Sequence, residues 1–224
     1  MKREQVGMYE GIQRDLIVQD NYETAHRLAR EALARLDFKK QCERAGALVL
    51  SDSGVPECRL RFLSRDYLIA HPDGKVSFAD GRDEVPLWEK IMILHYLAHA
   101  RGTGETGELI SFQEIPDARL YYPNFVKRTS GILVNAFGNR PEAFMEAAQE
   151  LGGTPCPEIG KYALTILVFP RVSYYVVMWP GDEELPPEFN MVFDRSIVDY
   201  LPCEDITVLA NMIAVKMMKA AKTR

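Results

Sequence analysis

With 224 residues, 47% of them hydrophobic and 26% charged, the chain has the make-up of a soluble globular protein whose core needs no staples. A net charge of −5 with scattered basic residues argues against a general nucleic-acid binder, which must neutralise phosphates with clustered lysine and arginine. The opening MKREQVGMYEGIQRDL has no apolar core of an export signal, and the longest apolar stretch, 162–179, is broken at Pro170-Arg171, so a cytoplasmic protein with no membrane contact is expected.

In chain order, the spacing of Leu28, Ala29, Ala32, Leu33 and Leu36 predicts an amphipathic helix over 19–43, capped by Asp20 or Asn21 and closed by Gly46. Short strand-like runs follow at 47–50, 58–63, 67–70 and 75–78. The Pro72-Asp73-Gly74 turn predicts a hairpin from Tyr67 to Phe78. A second helix spans 86–101, with proline in its first turn and Gly102 beyond its end. A strand at 108–114, helices at 125–137 and 141–151, strands at 162–169, 172–179 and 189–193, and a helix at 203–222 complete the chain. This order is neither a βαβ alternation nor a repeat. It predicts an α+β fold, a mainly antiparallel or mixed sheet flanked by about five helices, in a single domain with 1–84 open to forming a subdomain.

Four patterns carry chemistry. His95 and His99 stand one turn apart on the helix 86–101, with Trp88 and Met92 on the same stripe. Such a pair can chelate a transition metal, and one histidine can be the axial ligand of a haem or corrinoid. Tyr96 occupies the place of a metalloprotease glutamate, so the HExxH pattern is absent. The ordinary alternative is a core-edge His95 and a surface His99 favoured by the helix C-terminus.

The loop 181–188 carries Asp182, Glu183, Glu184 and Glu188, and Asp194 ends the next strand. These oxygens suit a divalent cation or a cationic partner, although no EF-hand order is present, and a solvated loop is the plain reading. The glycines at 102–107 fit GxGxxG, but they follow a helix and precede a strand, the reverse of a dinucleotide site. Finally, EIPDARLYYPNFVKR sets Tyr121, Tyr122 and Phe125 among Arg119, Lys127 and Arg128, able to stack on a flat anion or simply to pin a turn. Cys42, Cys58, Cys156 and Cys203 form no CxxC pair, so reduced thiols and no iron–sulfur cluster are expected.

The segments LHYLAHARG, GELISFQEIPDARLYYPNF, EAAQELGG and above all FPRVSYYVVMWPGDEELPPEFNMVFDRSIVDYLPCEDITVLANMI resemble an uncharacterised family of bacteria and archaea, mostly anaerobes. This is the domain of unknown function numbered 3786. The resemblance runs from about Trp88 onward and more weakly through the first third. It falls on His95, Arg171, Asp182, Glu183, Glu184, Phe193 and Asp194. Some members resemble fusions to an iron–sulfur module like that of corrinoid iron–sulfur proteins, a module without counterpart here. The resemblance implies a neighbourhood of corrinoid or one-carbon metabolism and brings no catalytic residue with it.

Three functions follow as expectations. The first is a ligand-binding or accessory protein that takes a tetrapyrrole-like molecule, a corrinoid or haem, through His95, Met92, Tyr122, Arg128 and Trp179. The second is a divalent-metal-dependent enzyme using Asp182, Glu184 and Asp194 at the acidic loop after Trp179, with His95 and His99 as separate candidate metal ligands. The third is a module docking on an iron–sulfur or corrinoid protein partner. All three sites presuppose that the histidine helix and the last strands converge, with His95 near Trp179 and Asp194.

Overall fold

The computed structural model of the chain describes residues 21–50, 54–81 and 83–222. The first helix (α1, 21–34) buries Ala29 and Leu33, whereas Leu28, Ala32 and Leu36 of the expected apolar stripe are exposed. It does not run on to residue 43, and Gln19 and Asp20 lie outside the described residues. Leu36 N–H bonds back to Leu33 in a tightened last turn. Asp37 then opens a separate helix, α2 (Phe38–Ala45), its carboxylate accepting from the Lys40 amide at 3.1 Å. Gly46, at φ +69°, closes α2 in the left-handed conformation.

Strands β1 (Leu48–Leu50), β2 (Glu57–Phe62), β3 (Arg65–Ala70) and β4 (Val76–Phe78) form an antiparallel four-stranded sheet in chain order, including the expected hairpin with Tyr67 opposite Phe78. In β2 the alternation is clean: Cys58, Leu60 and Phe62 are buried, and Arg59 and Arg61 face out. Helix α3 (Leu87–His99) follows. It is buried nearly all round through Ile91, Met92, Ile93, Leu94, Tyr96 and Leu97, which leaves few places for a polar side chain.

The second sheet is also antiparallel. Its strands β5 (Leu109–Ser111), β6 (Thr154–Pro155), β7 (Ala163–Phe169), β8 (Val172–Trp179) and β9 (Glu188–Asp194) lie in the order β5-β9-β8-β7-β6. Helices α4 (Tyr122–Arg128), α5 (Ser130–Phe137), α6 (Pro141–Glu150) and α7 (Cys203–Lys222) complete the fold. Helices α5 and α6 pack on the sheet face bearing Ile166, Tyr174, Val176, Met191 and Phe193, and α7, which meets that face at Tyr174, lies against α4, α5 and α6. The helix expected over 125–137 is divided at Thr129, whose hydroxyl donates to the Phe125 carbonyl at 2.7 Å while its backbone leaves helical geometry.

The expected α+β class therefore holds, with two antiparallel sheets. One apolar core runs through both. Phe169 at the end of β7 stacks between Phe62 (4.7 Å) and Tyr96 (4.1 Å), and the Leu63 amide donates to the Val168 carbonyl at 2.8 Å. Among the described residues, no helix is long and apolar enough to cross a membrane.

Candidate functional site

Helix α3 spends its polar allowance on one side, where it meets the start of α7. There His95 Nδ1 lies 2.8 Å from Oδ2 of Asp205, a carboxylate only 3% exposed in the first turn of α7. An acid in that turn is favoured by the helix dipole. A carboxylate can only accept, so His95 Nδ1 carries the hydrogen, and in the neutral ring the lone pair sits on Nε2. That nitrogen has no hydrogen-bond partner among the described residues.

His99 stands edge-on to His95, ring centroids 5.8 Å apart at 85°. Its Nδ1 faces the His95 carbonyl at 2.8 Å and so also carries a hydrogen. Both imidazoles are thus held by Nδ1 with Nε2 open. Beneath them the Tyr174 hydroxyl donates to the Ile206 carbonyl at 3.1 Å, and burial and the Asp205 charge keep that phenol protonated.

Burial pulls the His95 pKa down, but the hydrogen bond and charge of Asp205, with the charge of Glu204, outweigh it, and the pKa lies above the ordinary 6.5. The imidazolium form therefore stabilises the fold fully below 6.5, and this contribution fades as pH rises through the elevated folded value. Replacing Asp205 with asparagine removes the charge and leaves the burial. Following the His95 ring by NMR should show its titration midpoint falling well below that of the wild type; an unmoved midpoint would remove Asp205 as the cause.

The other expected site residues lie elsewhere. Asp194, at the end of β9, is 6% exposed and spends its oxygens inside the protein. It accepts from the amides of Thr106 (3.1 Å), Gly107 (2.8 Å) and Ser196 (2.9 Å), and from the Thr106 hydroxyl (3.1 Å). The glycine-rich loop is thus a strap tied down by carboxylates. Asp194 holds one end, and Asp199 accepts from Arg101 and the Thr103 hydroxyl at the other.

Asp182 folds its own loop, accepting from the amides of Glu184 (2.9 Å) and Leu185 (2.8 Å). Trp179, 48% exposed, pairs with Glu188 at the turn end of the β8–β9 hairpin. Six strand steps from Glu188 to Asp194 span about 20 Å, so Asp182 and Glu184 cannot share an ion with Asp194. Tyr174 touches the residue beside Asp205, and Trp179 lies five steps, roughly 17 Å, farther along β8. Asp194 falls at the His95 end of the sheet, but strand alternation puts its side chain on the face opposite Phe193 and the helices.

The expected single cavity is therefore not formed. The antiparallel hairpin sends its two ends apart, and the histidines occupy one end alone. Met92 is in the apolar core one turn before His95. Tyr122 opens α4 and lines a cleft beside β9, and the Arg128 carbonyl accepts from Asn211 in mid-α7. Among the described residues no three His, Cys, Asp or Glu side chains gather to hold a metal ion. Cys203 is half-buried near the pair, and burial with the charges of Asp117 and Glu204 pushes its thiol pKa up, away from nucleophilic use.

Asp205 is the candidate-site residue that sequence reasoning missed. The signal was the acidic Glu204-Asp205 pair at a helix start, which alone reads as a capping preference.

Residues 37–216 match the family described as Domain of unknown function (DUF3786), and the chain belongs to that family. No curated protein and no solved structure matches it.

Proposed function

We propose that this member of the DUF3786 family is a cytoplasmic ligand-binding or accessory protein of anaerobic metabolism that takes a metal-bearing planar cofactor, haem or corrinoid, on His95. The observation that carries the reading is the 2.8 Å Nδ1 contact with buried Asp205. A carboxylate behind an imidazole fixes the tautomer, aims Nε2 outward and raises its basicity as a ligand. His99 presents a second Nε2 beside it, and Met92 gives the apolar floor of the same helix face. The cofactor metal would supply an open coordination position; the chain supplies the oriented nitrogen. The reading draws on His95, Asp205 and His99 and leaves Trp179 aside.

Titration with hemin and with hydroxocobalamin tests it. The expected result is a saturable shift of the visible spectrum that is lost in His95→Ala and weakened about 10- to 100-fold in Asp205→Asn. Because a proton competes for Nε2, affinity should rise as pH climbs through the elevated His95 value. An unchanged spectrum with both compounds, or an identical shift in His95→Ala, would end the proposal.

A further inference from the structure

The strap between α3 and β5 is tied at both ends, but its middle is not. The amides of Thr106 and Gly107 go to Asp194, and the Arg101 amide goes to the Asp199 carbonyl at 3.1 Å. Between them the amides of Gly102, Thr103, Gly104 and Glu105 have no acceptor among the described residues, and Gly102, Gly104 and Glu105 are exposed. Main-chain amides of a glycine-rich turn suit an oxyanion when positive side chains stand beside them.

Three arginines stand there. Arg44, in the last turn of α2, packs so closely on the strap that a Cβ on Gly102 would lie 3.1 Å from its Cγ. Arg171, in the β7–β8 turn, donates its amide to the Tyr96 hydroxyl at 3.2 Å, and its Nε lies 3.4 Å from the place of a Cβ on Gly46. The Tyr200 hydroxyl donates to the Thr103 carbonyl, and the Tyr96 and Tyr200 rings stack at 5.8 Å. Burial pushes both phenols up, and the Arg171 charge opposes that on each, which puts the guanidinium near both hydroxyls and so near Thr103. Arg101 opens the strap itself.

The protein neutralises this corner only in part. Arg101 pairs with Asp199 at 3.1 Å, Arg44 reaches the Gln41 side-chain oxygen at 3.4 Å, and the Arg171 guanidinium has no partner among the described residues. Exposed Glu43 and Glu105 bond to none of the three. Helix C-terminal carbonyls can also hold an arginine, but here they have other donors. Gln41 donates to the Ala98 and Ala100 carbonyls, the Tyr96 hydroxyl to that of Ala45, and the Gly46 and Ala47 amides to those of Glu43 and Cys42.

We infer that this corner binds the phosphoryl group of a small molecule, its oxygens held by the Arg44 and Arg171 guanidinia and by the free strap amides. Arginine forks match phosphate geometry, and the amides add donors. The net charge of −5 over the whole chain disfavours a long polyanion in its place. The arrangement is not that of a dinucleotide fold, where phosphates meet a helix N-terminus; the strap leaves the C-terminus of α3, and side chains supply the charge. The inference uses neither His95 nor its ligand, so each can fail alone.

The test follows the backbone amides of the full chain by NMR. Inorganic phosphate and pyrophosphate are the probes, compared with sodium chloride at matched ionic strength. The expected result is a saturable shift centred on Gly102 to Glu105; tighter pyrophosphate would assign a diphosphate ligand, and tighter phosphate a monophosphate. Arg44→Gln and Arg171→Gln keep the main-chain amides and part of each stem, so each should weaken binding about ten-fold with the melting temperature kept. An equal shift in chloride, shifts centred elsewhere, wild-type affinity in either glutamine variant, or no shift with both probes at several millimolar would each overturn it.

Discussion

Asp194→Ala is expected to cost about 3–5 kcal/mol of stability, as removal of a buried, fully engaged carboxylate does. Three amides and a hydroxyl lose their acceptor at once, and two of those amides belong to the strap between α3 and β5. Asp194→Asn retains one acceptor oxygen and should fall between. Urea unfolding at neutral pH measures both; a loss below about 1 kcal/mol for alanine would mean that water replaces the carboxylate freely.

The pH dependence has a definite sign. Burial pushes the Asp194 pKa up, but the bonds from Ser196, Thr106 and Gly107 prevail and hold it below the ordinary 3.8. Its contribution is therefore complete above 3.8 and disappears as pH falls through the lower folded value, a loss the alanine variant should not share. Adding Mg²⁺ or Ca²⁺ should leave the wild-type midpoint unmoved, since these oxygens already have donors.

The same residue marks where the sequence was legible and where it was not. That β9 ends in an acid could be read from FNMVFD, and strand alternation and turn residues likewise made β7, β8, β9 and the β3–β4 hairpin visible. What Asp194 does could not be read, because its donors Thr106 and Gly107 come almost ninety positions earlier and reach it only through the β5–β9 pairing. His95 stood out as a polar residue in an apolar helix, whereas its partner Asp205 is 110 positions away and looks like any helix-opening acid. Local breaks were hidden differently. The apolar pattern passes smoothly through 35–37 and through Thr129, so periodicity predicts continuous helices; the side-chain bonds of Asp37 and Thr129 break them. The separation into two sheets depends on which strands pair, and a period of two says nothing of the neighbour.

Phe169→Ala is the second large effect. Its ring, 1% exposed, is clamped between Phe62 of the first sheet and Tyr96 of α3, the latter nearly parallel at 5°. Removing it leaves a cavity at the seam of the two sheets, and burial plus cavity terms for such a ring amount to about 3–5 kcal/mol. For a chain of this length that corresponds to a fall in Tm of roughly 10 °C. The two tryptophans report on different sides of the seam. Trp88 lies edge-on to Phe62 at 6.3 Å, and Trp179 ends β8 far from it. In single-tryptophan backgrounds, Trp88→Phe and Trp179→Phe, both probes should give one midpoint in the wild type and move together in Phe169→Ala, because the aromatic stack and the Leu63–Val168 bond tie the sheets into one cooperative core. A midpoint that falls for Trp88 while Trp179 holds its wild-type value would instead show that the stack serves the first sheet alone.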